Sequence, residues 1–269
     1  MNYVNHSLIH PEAQIGEHVT IGPFCYIDKD VVIGDGTQIG PNVTIYDGAR
    51  IGKNVNIFPG AVISGIPQDL KFDDEVTTAE IGDNTTIREY VTINRGTSYA
   101  HKTVVGKNCL LMAYVHVAHD CILGDRVILA NNVNLAGHVV IHDWAILEGL
   151  VAVQQFVKIG AHAFIAGGSL VRKNVPPYVK AAREPLSYAG INSIGLRRRN
   201  FSPEKINHIQ DIYRLLYVKG FNLSHAIEKI KQEVAASAEK DYILDFVVNA
   251  DPGIMKGFQQ INGNNVSDD

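Results

Sequence analysis

Four imidazoles and a carboxylate crowd one stretch of this 269-residue chain: His116-Val117-Ala118-His119-Asp120, then Gly137-His138 and His142. His119 followed by Asp120 supplies a general base and a carboxylate able to orient it, because imidazole titrates near neutral pH. Gly137 stands 18 residues beyond His119 and Gln155 stands 36 beyond it, with His138 and Gln154 adjacent to these positions. With no side chain in the way, the Gly137 N–H could stabilise an oxyanion. Two other readings fit the same residues: exposed imidazoles among polar neighbours, and imidazoles shared between chains to hold a metal.

The interval of 18 takes its meaning from the elements that carry it. Steps of six from Ile9 to Val171 meet 28 positions, and 25 of them are Ile, Leu or Val; only Asp69, Glu75 and Tyr99 fail. Gly often follows the aliphatic residue, as in Ile15-Gly16, Ile33-Gly34 and Leu123-Gly124. The fourth residue after it is small or β-branched, as at Val19, Cys25, Thr37 and Ala49. A period of six suits neither a helix nor plain strand alternation. It suits short strands joined by turns, three hexads closing a triangular coil and stacked coils sitting about 4.8 Å apart. The segment Ile9–Pro176 then makes about nine coils. Val117 points inward, His116 and His119 stand outside the column, and Gly137 lies directly over His119. The stretches that break the phase, about 65–79 and 94–103, predict loops thrown out from coil corners, away from the core. Cys25, Cys109 and Cys121 all occupy the inward small-residue slot and read as buried hydrophobes, not metal or redox sites.

After Val175-Pro176-Pro177 a helical period takes over. Ser202-Pro203-Glu204 predicts a helix start, and Gly220 its end. Further helices are expected over about Leu223–Ala236 and Asp241–Asn249, with a frayed polar tail from Asn262 to Asp269. The expected architecture is thus mainly β, a parallel β-helix over 1–177 and a small α-helical domain over 178–269. The chain carries a net charge of −4, yet between Leu170 and Lys205 eight basic residues face two acidic ones. Such a basic patch suits a polyanionic partner, phosphates or an acidic carrier protein, or is simply a solvated helix face. Whole-chain basicity, the mark of a nucleic-acid binder, is absent. No apolar run approaches the roughly 20 residues of a membrane span. The opening residues lack a charged-then-apolar leader, and three unpaired cysteines suit a reducing compartment, so a cytoplasmic protein is expected.

Several segments together resemble the UDP-N-acetylglucosamine acyltransferases of lipid A biosynthesis, nearly end to end. They are the hexads, His116-Val117-Ala118-His119-Asp120-Cys121, Leu129-Ala130-Asn131-Asn132, Leu135-Ala136-Gly137-His138, Gln155-Phe156 and Val175-Pro176-Pro177-Tyr178-Val179. The loop Pro67-Gln68-Asp69-Leu70-Lys71 and the segment Gly195-Leu196-Arg197-Arg198-Arg199 belong with them. The resemblance implies a left-handed parallel β-helix and a homotrimer with sites between adjacent subunits. It implies transfer of a 3-hydroxyacyl chain from acyl carrier protein to the glucosamine 3-position of the UDP-sugar. No cofactor is implied beyond the carrier's phosphopantetheine, and no metal. His119 would be the base, Asp120 its orienting partner and Gly137 the oxyanion donor. Gln68, Asp69, His138 and Gln155 would hold the sugar, and Lys71 and His116 the diphosphate. Asn192 and Arg198 would meet nucleotide or phosphopantetheine phosphate, and Gly167 would set acyl length and admit a long chain. Gln154, Asn94 and Ile194 depart from the family pattern. Rival readings are acylation of a 3-amino analogue of the sugar, a coenzyme A-dependent hexapeptide transferase, a zinc-dependent γ-type carbonic anhydrase and a non-catalytic solenoid.

Overall fold

The computed structural model describes residues 2–4 and 6–257; the polar segment Asn262–Asp269 lies outside them. The period of six becomes a three-sided prism of short parallel strands. One side runs through Tyr26–Ile27, Thr44–Ile45, Val62–Gly65, Thr92–Asn94, His116–Val117 and Asn134–Leu135. A second runs through Ala49–Ile51, Thr78–Ile81, Lys102–Val105 and Ile122–Leu123. A third runs through Asn56–Ile57, Thr86–Ile87, Leu110–Leu111 and Ile128–Leu129. Along the first side the register aligns Ile27, Ile45, Ile63, Ile93, Val117, Leu135 and Val153 in one row, all buried. Each aliphatic residue therefore packs on its own equivalents above and below. The three cysteines are buried and free, as their slot requires.

Turns between sides have a fixed cost. Every coil passes through a left-handed residue, and most are not glycine: Phe24, Tyr90, Tyr114, Asn132, Trp144 and Leu150 all have φ between 57° and 63°. For a side chain bulkier than Asn this conformation is strained. It is imposed because the chain must turn from one side of the prism to the next within a few residues.

Both inserts leave the same edge of the prism, the one between the first and second sides, on consecutive coils. The first joins Val62–Gly65 to Thr78–Ile81, and the second joins Thr92–Asn94 to Lys102–Val105. Ile63 and Ile93 are aligned neighbours, as are Ile93 and Val117, so both inserts have lengths that preserve the sequence phase. The second insert is not wholly outside the core, since Gly96 and Thr97 are buried.

At the far end the third side continues past the last hexads. Val179–Ala182 pairs parallel with Phe164–Ile165, then turns back as an antiparallel hairpin with Ser187–Ile191. Four helices follow: α1 (Ser193–Arg198), α2 (Pro203–Tyr217), α3 (Leu223–Glu233) and α4 (Ala238–Val248). Ser202 caps α2 as expected, its side chain accepting the Lys205 N–H. The helix stops at Tyr217, before Gly220. Helix α3 ends at Glu233, short of Ala236, because the buried Lys240 ammonium takes the carbonyls of Lys231 and Val234 at 3.1 and 2.7 Å. Helix α4 begins at Ala238, ahead of Asp241, because Ser237 caps it. Among the described residues no helix is long and apolar enough to cross a membrane.

Leu129 is completely buried in the column. Leu129→Ala should destabilise the fold by about 2–5 kcal/mol, the usual span for emptying such a site, read as a lowered denaturant midpoint.

Candidate active site

On the edge that carries both inserts, successive coils turn through Asp120, His138 and Phe156, with φ of 58°, 63° and 65°. In an extended strand, neighbouring side chains diverge to opposite faces. The left-handed turn brings them together instead, and His119 Nδ1 meets Asp120 Oδ2 at 2.8 Å. The Asp120 side chain is fully buried. Its carboxylate is also fully engaged. Oδ1 accepts the N–H groups of Thr97 and Ala100 at 3.0 and 3.2 Å. Oδ2 accepts the Thr97 hydroxyl at 2.6 Å besides the imidazole. Burial alone would raise the Asp120 pKa, but the donors from Thr97, His119 and Ala100 outweigh it and hold the carboxyl below its usual range. Facing an ionised carboxylate, the neutral imidazole carries its proton on Nδ1, and Nε2 is left as the basic nitrogen.

That nitrogen lies against Gly137. A Cβ at this position would come within 2.7 Å of His119 Nε2 and 2.6 Å of Cε1. The glycine is therefore required for space, since its backbone is not in the left-handed region. The Gly137 amide donates no hydrogen bond to the described residues. His138 lies flat on Phe156, ring centroids 4.3 Å apart, and meets Tyr99 edge-on at 4.5 Å. Burial lowers the His138 pKa against the pull of Asp120. Its Nδ1, 3.7 Å from Asp120 Oδ2, has no hydrogen-bond partner among the described residues.

Thr77 Oγ1, Asn94 Oδ1 and Arg95 Nε share that condition, and all four atoms lie on or beside the inserts and the dyad. Buried polar atoms without partners are rare, so their concentration on one edge marks a surface built for contact. A pocket of about 440 Å³ lined by Asp28, Tyr46, Asp47, Ile66 and Arg95 continues the same edge toward the N-terminal coils. Ligating atoms of His119, Asp120 and His138 lie within 4.8 Å of one another, close enough to hold a divalent ion. The carboxylate already accepts four hydrogen bonds, one of them from His119.

The remaining predicted residues divide by edge. His116 faces outward on the first side, its Nδ1 2.7 Å from Thr92 Oγ1, and burial, with His119 adding to it, lowers its pKa. Asp69 is close enough for its charge to act on His138. Gln68 and Lys71 are exposed on the same loop, and Gln154 and Gln155 are exposed beside Phe156. Asn94 is buried and donates to the Ile66 carbonyl, tying one insert to the other. Asn192 and Arg198 lie elsewhere, at the N-cap and the last residue of α1, by the edge between the second and third sides. Asn192 caps α1 by accepting the Gly195 N–H and donates to the His162 carbonyl at 2.9 Å. Arg199 reaches His162 Nδ1 at 3.1 Å, and both Arg199 and Arg126 lie over the Trp144 ring. Gly167 sits on the third edge, exposed, its N–H donating to Glu148 Oε2. One chain thus brings His119, Asp120, Gly137 and His138 together and leaves Asn192, Arg198 and Gly167 on its other two edges. Sequence reasoning gave Thr97 and Thr103 no role, although both stand in the slot four residues after a step of six, and it noted Tyr99 only as a break in the phase. It gave Phe156 no role, although Phe156 follows His138 by one coil.

The model of the second domain of UDP N-acetylglucosamine O-acyltransferases matches residues 174–255, and that of bacterial transferase hexapeptide repeats matches 30–65 and 102–137. The solved UDP-N-acetylglucosamine acyltransferase of Bacteroides fragilis is 51% identical, with a TM-score of 0.93 over 95% of this chain and 100% of that one. This chain belongs to the UDP-N-acetylglucosamine O-acyltransferase family. The Francisella novicida UDP-N-acetylglucosamine acyltransferase is 41% identical, with a TM-score of 0.91 over 95% of this chain and 94% of that one. The acyl-[acyl-carrier-protein]–UDP-N-acetylglucosamine O-acyltransferase of Myxococcus xanthus is 41% identical over 191 residues, 71% of this chain and 74% of its own. As in the family, the coils form a left-handed parallel β-helix, against the usual right-handed crossover.

The α1 anchor has a pH signature. Burial, with the Arg199 charge adding to it, holds His162 near a pKa of about 4, against an ordinary 6.5. The unfolded chain then takes this proton first, so stability is full above pH 6.5, declines as pH falls toward 4 and levels off below. His162→Gln should flatten that decline, measured as denaturant midpoints between pH 7 and pH 4.

Proposed function

We propose that His119 Nε2 is the general base of this acyltransferase, oriented by Asp120, and that the Gly137 N–H receives the oxyanion. The reaction is transfer of an acyl chain from acyl carrier protein to UDP-N-acetylglucosamine, the first step of lipid A synthesis. The sugar 3-hydroxyl attacks the thioester carbonyl while His119 removes its proton. As the tetrahedral intermediate collapses, the ester C–O bond is kept and the C–S bond breaks. The proton passes from the imidazolium to the departing phosphopantetheine sulfur. The observation that carries this reading is the saturated, buried Asp120 carboxylate, which leaves His119 basic only at Nε2, beside Gly137.

Gln68, Asp69, His138 and Gln155 hold the sugar, and Lys71 and His116 meet the diphosphate. Asn192 and Arg198 contact phosphate of nucleotide or phosphopantetheine. These groups occupy different edges of one prism, so a complete site needs edges from neighbouring copies. A homotrimer of parallel prisms supplies them. Arg172, Lys173, Lys180, Arg197 and Arg198 are all exposed where the solenoid ends, a surface suited to an acidic carrier protein. Gly167 presents only backbone toward the acyl groove and admits a long chain.

His119→Ala should lower acyl transfer by at least 10³-fold, as removal of a general base does, while the assembly persists in sedimentation. Substantial residual turnover would reassign the base. A ladder of 3-hydroxyacyl carriers, offered to UDP-N-acetylglucosamine and to its 3-amino analogue, should show preference for the hydroxyl acceptor and for long chains. Coenzyme A thioesters should be poor donors in the same assay.

A further inference from the structure

We propose that Thr97, in the second insert, is a positioning residue that fixes the His119–Asp120 pair, an inference resting on His119 as the base. Thr97 is 6% exposed although it belongs to a loop outside the repeat. Its backbone N–H donates to Asp120 Oδ1 at 3.0 Å and its hydroxyl to Asp120 Oδ2 at 2.6 Å, so one residue grips both carboxylate oxygens. The same hydroxyl oxygen accepts the Tyr99 N–H at 3.2 Å, and the Thr97 carbonyl accepts the His101 N–H at 2.8 Å. The hydroxyl proton is thereby committed to Asp120. From the other side, Thr103 Oγ1 accepts the Asp120 N–H at 2.8 Å.

The carboxylate has about four lone-pair sites, and Thr97, Ala100 and His119 fill them. This matters because a second imidazole competes. His138 Nδ1 lies only 3.7 Å from Oδ2 and has no partner of its own. Without the Thr97 hydroxyl, Oδ2 regains a lone pair and the carboxylate can turn toward His138. His119 then loses the fixed Nδ1–H that leaves Nε2 basic. The charge-assisted hydroxyl bond also opposes the burial that raises the Asp120 pKa. Thr97 touches neither reacting atom; it acts through Asp120.

The test compares Thr97→Ala with Thr97→Ser in the full-length enzyme, both lacking the methyl group and only the first lacking the hydroxyl. With acyl carrier protein thioester and UDP-N-acetylglucosamine, Thr97→Ala should lose roughly 10- to 100-fold in kcat, the range of one hydrogen bond to a charged group. Its KM for the sugar nucleotide should stay within about twofold, because only the base is misaligned. Thr97→Ser should recover to within about threefold of the unaltered enzyme. Equal defects in both variants, or a change confined to KM, would overturn the proposal, as would full kcat in Thr97→Ala. Failure of the unaltered enzyme to acylate the sugar nucleotide would instead remove the functional reading beneath it.

Discussion

Everything in this chain depends on the fixed spacing of hydrogen-bonded strands. Each coil must place its backbone donors under the acceptors of the next, so residues one coil apart stand directly over one another. Pairs such as Leu110 with Ile128 and Ile128 with Ile146 show how strictly the rule holds. The aliphatic column follows from it, since an inward residue has no room except on its own equivalents. The site follows from it too. His119 lies on Gly137 because the register leaves no other neighbour, and only a residue without a side chain leaves space for the imidazole.

The same constraint explains why chemistry gathers on one edge. Side-chain rows along a β-helix are monotonous, and a row of repeats cannot build a pocket by itself. Two consecutive coils break the monotony by releasing inserts at the same corner, and the next turn along that corner is His119–Asp120. The first insert brings Asp69 near His138, and the second wraps its amides and a hydroxyl around Asp120. The prism supplies rigidity, and the inserts supply the asymmetry that a site requires.

How much of this could be read from the residues follows from what repeats. The aliphatic column, the inward cysteines, the two inserts and the stacking of Gly137 on His119 all obey the interval of six or eighteen. Thr97 stands four residues after Ile93, in the small-residue slot, so the interval accounts for its burial and not for its partner. Its contact with Asp120 joins residues 23 apart through an irregular loop, and neither composition nor patterning signals it. The hairpin Val179–Ala182 with Ser187–Ile191 was hidden for a similar reason, because it pairs by a short turn after the hexad phase is lost. The helices after Ser202 were legible by their period, but their ends were decided elsewhere. The Lys240 ammonium, nine residues beyond Lys231, terminates α3. The edges on which Asn192 and Gly167 sit became visible only in three dimensions.

The left-handed turns carry a further consequence. Phe24, Tyr90, Tyr114 and Leu150 combine a strained backbone with side chains 54–67% exposed. A solitary chain bears two penalties at these positions, one conformational and one of hydration, the second relieved only in part where Tyr90 stacks on Tyr114 and Phe24 on His6. In the homotrimer proposed above, contact between copies along this edge would relieve the second. Folding and association would then be one event, and the unfolding temperature would depend on how much of the chain is present, as for any assembly whose subunits stabilise one another.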